Sequence, residues 1–262
     1  MIDLAVTGAA GRMGRRIIAL AQESGDFKLV EALEYSQSIQ QGADAGTLAG
    51  VGELGVPVGT ELPAKPTVMI DFSLPESTAT WLPVCLREQI PMVIGTTGQT
   101  EDQRRQIAEA SQELSIVFAA NMSLGVNLLF KLAHQVAHIL DDKYDIEIDE
   151  THHRFKRDAP SGTAMELARQ IASAKEWPMP QCLQHGRSGD CPRKESTIGM
   201  HALRLGDTVG IHNVRFASLG ESITLHHTAH SRDTFVRGAL HAAAWIKDKK
   251  PGLYSMFDVL GL

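Results

Sequence analysis

The chain has 262 residues, 43% of them hydrophobic and 21% charged, which is typical of a globular protein with one or two domains. Its 25 basic and 31 acidic residues give a formal net charge of −6, which argues against a general nucleic-acid binder. It shows neither an apolar run of the roughly 20 residues that span a bilayer nor a secretory leader, and its three cysteines form no C-x-x-C pair. We therefore expect a cytoplasmic protein without a membrane partner.

The chain opens with a predicted strand, a glycine-rich turn and a predicted helix. The apolar residues 2–7 precede Gly8-Ala9-Ala10-Gly11-Arg12-Met13-Gly14, and helical periodicity follows to residue 21. This order is typical of a dinucleotide-binding domain, although the spacing is G-x-x-G-x-x-G rather than G-x-G-x-x-G. Gly8 would permit the tight turn, Gly11 the close approach of a pyrophosphate, and Gly14 the packing of helix on strand.

A second predicted strand, residues 27–34, ends on an acid. Glu34 at this position suits hydrogen bonds to the adenine ribose hydroxyls, and the alternative is a solvated glutamate at a strand end. Residues 36–66 are rich in Gln, Gly and Ala with weak periodicity, which predicts a long, mobile connection.

Strands and helices then alternate as far as residue 123. Strands are predicted at 67–72, 91–94 and 115–119, and helices at 75–87 and 100–113. This alternation predicts a Rossmann-like, doubly wound parallel sheet of the α/β class, which binds ligands beyond the carboxyl ends of its strands. The cofactor-binding residues that we expect there are Gly8, Ala9, Ala10, Gly11, Arg12, Met13, Glu34, Gly95, Thr96, Thr97, Ala119, Ala120, Asn121 and Met122.

The pattern changes after Ser123. A helix (126–140) and a strand (144–150) are followed by a proline-rich predicted loop (176–196), three predicted strands (197–205, 209–217 and 222–227) and a helix (231–247). We expect a second, α+β domain built on a mainly antiparallel sheet. The predicted boundaries are 1–123 for the dinucleotide-binding domain and 124–232 for the second domain, with 233–262 packing back on the first.

Residues 150–164 concentrate three kinds of chemistry. Histidine side chains such as His152 and His153 exchange protons near neutral pH. The basic side chains between residues 154 and 157 suit an anionic substrate. Ser161-Gly162-Thr163 begins a predicted helix, whose first amides could hold a carboxylate. The alternative is a solvated basic loop before an ordinary helix cap.

Other histidines and cysteines have spacings that could bind a metal. His134 and His138 lie four residues apart on one predicted helix, and His226, His227 and His230 cluster later. A zinc site that uses Cys182, His185 and Cys191 fits no usual pattern. We expect packing or solvated roles for these side chains and no metal site, with substrate contact as the alternative for His226, His227 and His230.

Several motifs together resemble one family, 4-hydroxy-tetrahydrodipicolinate reductase (dihydrodipicolinate reductase). The resemblance covers essentially the whole chain in order, and the run that begins at His152 is its most specific part. The motifs that carry it are Gly8 to Gly14, Asp71-Phe72-Ser73, Gly95-Thr96-Thr97-Gly98, Ala119-Ala120-Asn121-Met122-Ser123, His152-His153-Arg154-Phe155-Lys156, Asp158 to Ala164, Thr197-Ile198-Gly199, Arg204-Leu205-Gly206-Asp207 and Ser231-Arg232.

The resemblance implies a homotetrameric enzyme of lysine and diaminopimelate biosynthesis. It would reduce the dehydrated 4-hydroxy-tetrahydrodipicolinate ring, a small dicarboxylate, to tetrahydrodipicolinate by hydride transfer from NADH or NADPH. It implies that His152 is the general acid/base and Lys156 a proton donor. His153, Gly162 and Thr163 would hold the substrate.

The cofactor preference is the point at which this sequence departs from the family pattern. Many relatives carry arginine after the acid that ends the second strand, whereas Tyr35 follows Glu34 here. We therefore expect NADH to be at least as good a cofactor as NADPH.

Two other functions remain open from the sequence. A Rossmann dehydrogenase of another amino-acid precursor would leave the His152–Lys156 run unexplained. A non-catalytic NAD(P)H sensor would keep the glycine turn but would need no acid/base pair.

Overall fold

A parallel sheet begins at the first residues of the chain, and the computed structural model describes residues 1–262. With strands numbered in chain order, its members are β1 (Ile2–Thr7), β2 (Phe27–Leu33), β3 (Val58–Gly59), β4 (Val68–Asp71), β5 (Met92–Ile94), β6 (Ser115–Phe118) and β12 (Gly252–Tyr254). The order across the sheet is β12-β6-β5-β4-β1-β2-β3, and all neighbours run parallel. The direction of winding reverses between β1 and β4, which confirms the predicted doubly wound sheet.

Helices cover both faces of this sheet because successive strand residues point to opposite sides. Leu4 and Val6 lie in one buried cluster, whereas Ala5 between them lies in the other. The helices of this unit are α1 (Arg12–Ser24), α2 (Ala45–Ala49), α3 (Pro75–Glu88), α4 (Glu101–Ala110), α7 (Asp233–Ile246) and α8 (Met256–Leu260).

The region 36–66, predicted as a long connection, contains two short elements, α2 and β3. Asp44 caps the short helix α2, since its carboxylate accepts from the amide of Thr47 and also from those of Leu54 and Val56. The strand β3 then pairs with β2. Elements of five and two residues are too short to produce visible periodicity.

A second sheet is built from the middle of the chain. Its strands are β7 (Asp145–His152), β8 (Leu183–His185), β9 (Ile198–Arg204), β10 (Gly210–Ser218) and β11 (Glu221–Ala229), in the order β11-β10-β7-β9-β8. The ladders of β10 with β11 and of β10 with β7 are antiparallel, whereas β9 runs parallel to β7 and β8. The helix α5 (Leu124–Ile139) precedes β7 in the chain, and α6 (Gly162–Lys175) follows it. The predicted α+β architecture is confirmed.

The strand β8 lies inside the stretch that was predicted to be a loop, so that prediction is wrong there. It extends only three residues and pairs with β9. The amide of Ile198 donates to the carbonyl of Cys182, which aligns the two strands. A strand this short carries no alternation that a sequence pattern could reveal.

The chain divides into two units. Unit 1 contains Met1–Leu124 and Asp233–Leu262, and unit 2 contains Gly125–Arg232. The last segment joins unit 1 through α7, which packs in its core, and through β12, which pairs with β6. The helices are all too short or too polar to cross a lipid bilayer.

Candidate active site

The turn between β1 and α1 has the shape that a pyrophosphate needs. Gly8 has a positive φ of 68°, and a Cβ there would lie 2.7 Å from the carbonyl oxygen of Phe72. A Cβ at Gly14 would lie 2.1 Å from the carbonyl oxygen of Gly8, so only glycine lets α1 pack this close to the turn. No side chain caps α1 at Gly11, which leaves its first amides for an anion. The turn therefore fits the diphosphate of a dinucleotide.

Glu34 lies beside this turn. Its Oε2 accepts a hydrogen bond of 3.2 Å from the amide of Ala10, and its Oε1 accepts one of 3.2 Å from the amide of Tyr35. The side chain of Tyr35 is exposed. Arg16 is bound bidentately to Asp233, whereas Arg12 is exposed.

The ends of β5 and β6 supply the other predicted cofactor residues. A Cβ at Gly95 would collide with the ring of Phe72, at 2.2 Å, so the loop passes directly over that ring. Thr96 and Met122 are buried, at 3% and 1% exposed. All of the predicted cofactor-binding residues lie at the carboxyl ends of β1, β2, β5 and β6, within unit 1.

Asp71, at the end of β4, is a buried carboxylate that the sequence predictions did not assign to the site. Its Oδ1 accepts hydrogen bonds from the hydroxyls of Thr7 (2.7 Å), Thr96 (3.0 Å) and Ser73, and its Oδ2 accepts one from Thr78. The cluster joins the ends of β1, β4 and β5 to α3, and thus fixes the loops that would surround a cofactor. The sequence feature that could have revealed this carboxylate is an acid at the end of the apolar run Val68–Asp71.

In unit 2, β7 ends at His152 and α6 begins at Gly162. Ser161 is the N-cap of α6, and its Oγ accepts a hydrogen bond of 3.2 Å from the amide of Ala164. The amide of Ser161 itself donates to Glu150 Oε1 at 3.0 Å. The end of the strand and the start of the helix are therefore joined by one carboxylate.

Glu150 is fully buried, and its pairing was also missed from the sequence. His152 Nδ1 lies 2.5 Å from its Oε2, and both terminal nitrogens of Arg204 donate to it, at 2.9 and 3.0 Å. Burial opposes ionisation, but the hydrogen bonds from His152 and Arg204 outweigh it and lower the pKa of Glu150 to about 2. The sequence feature that could have revealed it is the alternation along β7, which places Glu150 on the same face as the buried residues Ile146 and Ile148.

Lys156 and His153 lie on the loop that follows β7. Lys156 Nζ donates to Asp158 at 2.9 Å, and this hydrogen bond lowers the pKa of the Asp158 carboxyl. Arg204 donates to the carbonyl oxygens of Lys156 and Asp158, and so holds this loop as well as Glu150. His153 Nδ1 is buried without a hydrogen-bond partner. A ligand could supply that partner.

The first residues of α6 are accessible to a small anion. A Cβ at Gly162 would meet nothing within 4 Å, and Thr163 is partly exposed. His152, His153, Lys156, Gly162 and Thr163 therefore all lie in the stretch from the end of β7 to the first turn of α6.

The remaining histidines form no metal centre. No group of three His, Cys, Asp or Glu side chains could hold a metal ion. His134 Nδ1 instead lies 3.0 Å from the carbonyl oxygen of Gln170, which gives it a packing role between α5 and α6. His226 contacts Asn213 and Thr228 on the second sheet.

Comparison with known proteins gives a consistent result along the whole chain. The family model described as "Dihydrodipicolinate reductase, N-terminus" matches residues 2–122, and the one described as "Dihydrodipicolinate reductase, C-terminus" matches residues 125–260. A protein named 4-hydroxy-tetrahydrodipicolinate reductase from Pseudoalteromonas atlantica is 46% identical and is covered in full, as is this chain. A protein of the same name from Magnetococcus marinus is 47% identical, with 99% of this chain and 98% of that protein covered.

Solved structures agree with these matches. A dipicolinate-bound dihydrodipicolinate reductase from a Paenisporosarcina species is similar with a TM-score of 0.79 and 26% identity, with 98% of each chain covered. An amine dehydrogenase from Mycobacterium smegmatis, with a TM-score of 0.62 and 11% identity over 97% of this chain and 95% of that one, shares the fold alone.

Proposed function

The chain belongs to the dihydrodipicolinate reductase family, and we propose that it catalyses this family's reaction with the residues described above. It reduces the dehydrated 4-hydroxy-tetrahydrodipicolinate ring to tetrahydrodipicolinate, in lysine and diaminopimelate biosynthesis. One observation carries this function. The buried carboxylate of Glu150 binds both His152, a side chain that can transfer protons, and the amide of Ser161 at the start of α6, where a substrate carboxylate could bind. Relatives that match the chain over its full length bear this enzyme's name.

A nicotinamide cofactor, when bound, supplies the hydride. The turn at Gly8–Gly14 and the loops after β5 and β6 would hold it, and the glycines of the turn leave no side chain in the way. Glu34 would accept hydrogen bonds from the adenine ribose hydroxyls. Since Tyr35 offers no positive charge to a 2′-phosphate, the proposal includes NADH as a cofactor at least as good as NADPH.

His152 and Lys156 carry the proton chemistry in this proposal. Hydride addition to an unsaturated ring leaves negative charge on the ring, which a proton must neutralise. The imidazole of His152 has one nitrogen bound to Glu150, and the other is the atom that exchanges the proton. Lys156, an ammonium held by Asp158, is the second donor.

The carboxylates of the substrate bind at the start of α6. The amide of Gly162 and the amide and hydroxyl of Thr163 donate to one carboxylate, and His153 supplies a further nitrogen. This role accounts for the buried, unpartnered Nδ1 of His153.

The proposal also includes a homotetramer that forms through the second sheet. Along β7 and β10, buried residues alternate with partly exposed ones, so one face of this sheet is covered and the other is not. The uncovered face carries Asp149, Asn213 and Arg215, together with the exposed Leu203. Further copies of the chain would cover it.

A cytoplasmic location is proposed on chemical grounds. The three cysteines are unpaired, and burial raises the pKa of the Cys85 thiol to about 12. Thiols of this kind persist where the environment is reducing.

A coupled assay tests the function directly. The substrate is generated in place from aspartate semialdehyde and pyruvate by the condensing enzyme, while loss of NADH or NADPH is followed by absorbance. We expect turnover only when all components are present, and mixtures without pyruvate are the control. Binding of NADH without any turnover would overturn the proposal in favour of a sensor.

A further inference from the structure

Glu150 occupies a position where an apolar residue would be expected. Ile146 and Ile148 precede it on the same face of β7, and all three side chains are fully buried. A buried carboxylate is destabilising unless it is paired and its oxygens are hydrogen-bonded. The surroundings of Glu150 meet both conditions, so its role depends on what it binds.

Each oxygen of Glu150 accepts two hydrogen bonds. Oε1 accepts from the amide of Ser161 and from Arg204, both at 3.0 Å. Oε2 accepts from Arg204 at 2.9 Å and lies 2.5 Å from Nδ1 of His152. The pKa of Glu150, about 2, means that the carboxylate is ionised at neutral pH and cannot donate. The proton in the contact with His152 must therefore reside on Nδ1.

This arrangement leaves Nε2 as the reactive nitrogen of His152. The residue beside it is Gly210, where a Cβ would lie 3.2 Å from Nε2. Glycine at this position keeps a Cβ from crowding that nitrogen. The ring thus has one nitrogen held by a carboxylate, whereas the other makes no hydrogen bond within the chain.

We propose that Glu150, clamped by Arg204, is a positioning residue that holds His152 in the tautomer with the proton on Nδ1 and so presents Nε2 to the substrate ring. This inference rests on the proposed acid/base role of His152. Glu150 itself would not touch the substrate and would act only through the imidazole. A carboxylate that orients a catalytic imidazole in this way is a recurring arrangement in enzymes.

The alternative is that Glu150 only joins β7, β9 and the start of α6. The chain offers a matched control, because Glu147 makes the same kind of pairing on the opposite face of β7. Its carboxylate lies 2.6 Å from His201 Nε2 and is bound by Arg187 and Arg193. Glu147→Gln thus removes a paired carboxylate from the same strand without disturbing His152.

The first test measures the tautomer in the unmodified protein. Selective ¹⁵N labelling of histidine, with His152 assigned from the spectrum of His152→Gln, distinguishes protonated from unprotonated ring nitrogens at a pH where this ring is neutral. We expect the proton on Nδ1, and Glu150→Gln should shift the population toward Nε2. Protonation of Nε2 in the unmodified protein would overturn the proposal, whatever the behaviour of Glu150→Gln.

The second test is a double-mutant cycle on kcat. Glu150→Gln should lower kcat at least about tenfold, within the about 10²–10⁴-fold that acid–base catalysis contributes, whereas Glu147→Gln should leave it unchanged. In the His152→Gln background, Glu150→Gln should lower kcat only slightly further, because Glu150 acts through an imidazole that this variant lacks. An equal loss in both backgrounds would mean a purely structural role and would contradict the proposal.

The two levels of inference fail in different ways. Full activity in His152→Gln would remove His152 from the mechanism and thus contradict the proposed function. A strong loss in His152→Gln combined with normal kcat in Glu150→Gln would contradict only the positioning role.

Discussion

The rings of His212 and His152 meet edge to face, with their centroids 5.1 Å apart and their planes at 72°. His212 is buried, and its Nε2 lies 3.2 Å from Ser161 Oγ. Burial lowers the pKa of His212 to about 3, and the neighbouring His152 acts in the same direction. At neutral pH the His212 ring is therefore uncharged and packs against His152. His152 is then the only imidazole that pairs with the Glu150 carboxylate.

This buried neutral ring should make stability depend on pH. The unfolded chain binds a proton on His212 below about pH 6.5, whereas the folded chain does so only near pH 3, so stability falls as the pH drops through this window. The loss is up to about 1.4 kcal/mol per pH unit for one such group. We expect His212→Gln to remove this pH-dependent loss of stability. Urea unfolding of both proteins between pH 7 and 4 measures the difference in their free energies of unfolding.

The groups that face His212 are the same in both proteins. They are His152, Glu150, His227 and Lys156, so the comparison isolates the contribution of His212. Parallel stability curves for the variant and the unmodified protein would show that His212 is protonated in the folded state.

The proton chemistry should depend on two side chains. His152→Gln and Lys156→Ala should each lower kcat by about 10²–10⁴-fold, the usual loss when acid–base catalysis is removed. NADH binding, measured by fluorescence, should survive because the cofactor residues lie in unit 1. His134→Gln is the control, since that ring binds only a carbonyl of α6. Normal turnover in either variant would exclude that residue.

The start of α6 should bind the carboxylates of a flat mimic of the ring, pyridine-2,6-dicarboxylate. We expect this compound to compete with the substrate and Thr163→Val to weaken it by about tenfold, the effect of losing one hydrogen bond to a charged group. Thr163→Ser keeps the hydroxyl and should retain the inhibition. An unchanged inhibition constant in Thr163→Val would leave the hydroxyl without a role in binding.

The ratio of kcat/KM for NADH and NADPH should depend on residue 35. The unmodified enzyme should use NADH at least as well as NADPH, because a 2′-phosphate beside Glu34 meets like charge. Tyr35→Arg should shift the ratio toward NADPH by about tenfold or more, since a charge-assisted hydrogen bond contributes about 1.5–3 kcal/mol. Tyr35→Phe should change little. A strong NADPH preference before mutation would mean that another basic residue, such as Arg12, binds the phosphate.

Sedimentation tests the proposed homotetramer. We expect four chains per particle at micromolar concentration, and Leu203→Arg should dissociate them because it places charge on the uncovered face of the second sheet. Ile139→Arg is the control, since Ile139 is exposed at the end of α5 rather than on the sheet. A monomer before mutation would refute the assembly.

Periodic elements were predictable from the sequence, whereas short ones and buried polar pairs were not. The strand Ile2–Thr7 and the helix that begins at Pro75 follow from hydrophobic pattern and helix-start signals. The helix α2 depends on one carboxylate, that of Asp44, reaching amides up to twelve residues away. No local pattern encodes such a contact.

The site was predictable in composition but not in arrangement. His152 and Lys156 stand within one motif, so a resemblance and the residue types identified them together. The partners of His152 come from distant parts of the chain, since Arg204 lies on β9 and His212 on β10. Only the register of β7 against these strands brings them together. The inward position of Glu150 could be inferred from the alternation along β7, but its partners could not.

The division of unit 1 into two segments has a consequence for synthesis on the ribosome. The core of this unit includes Val236, Leu240 and Ile246 of α7, and Gly238 packs against the carbonyl oxygen of Met122. These residues are translated after all of unit 2, so the nucleotide-binding core stays incomplete while unit 2 can already fold. The part of the protein that is made first is thus the last to be finished, and its exposed apolar strands are the ones that need protection in the nascent chain.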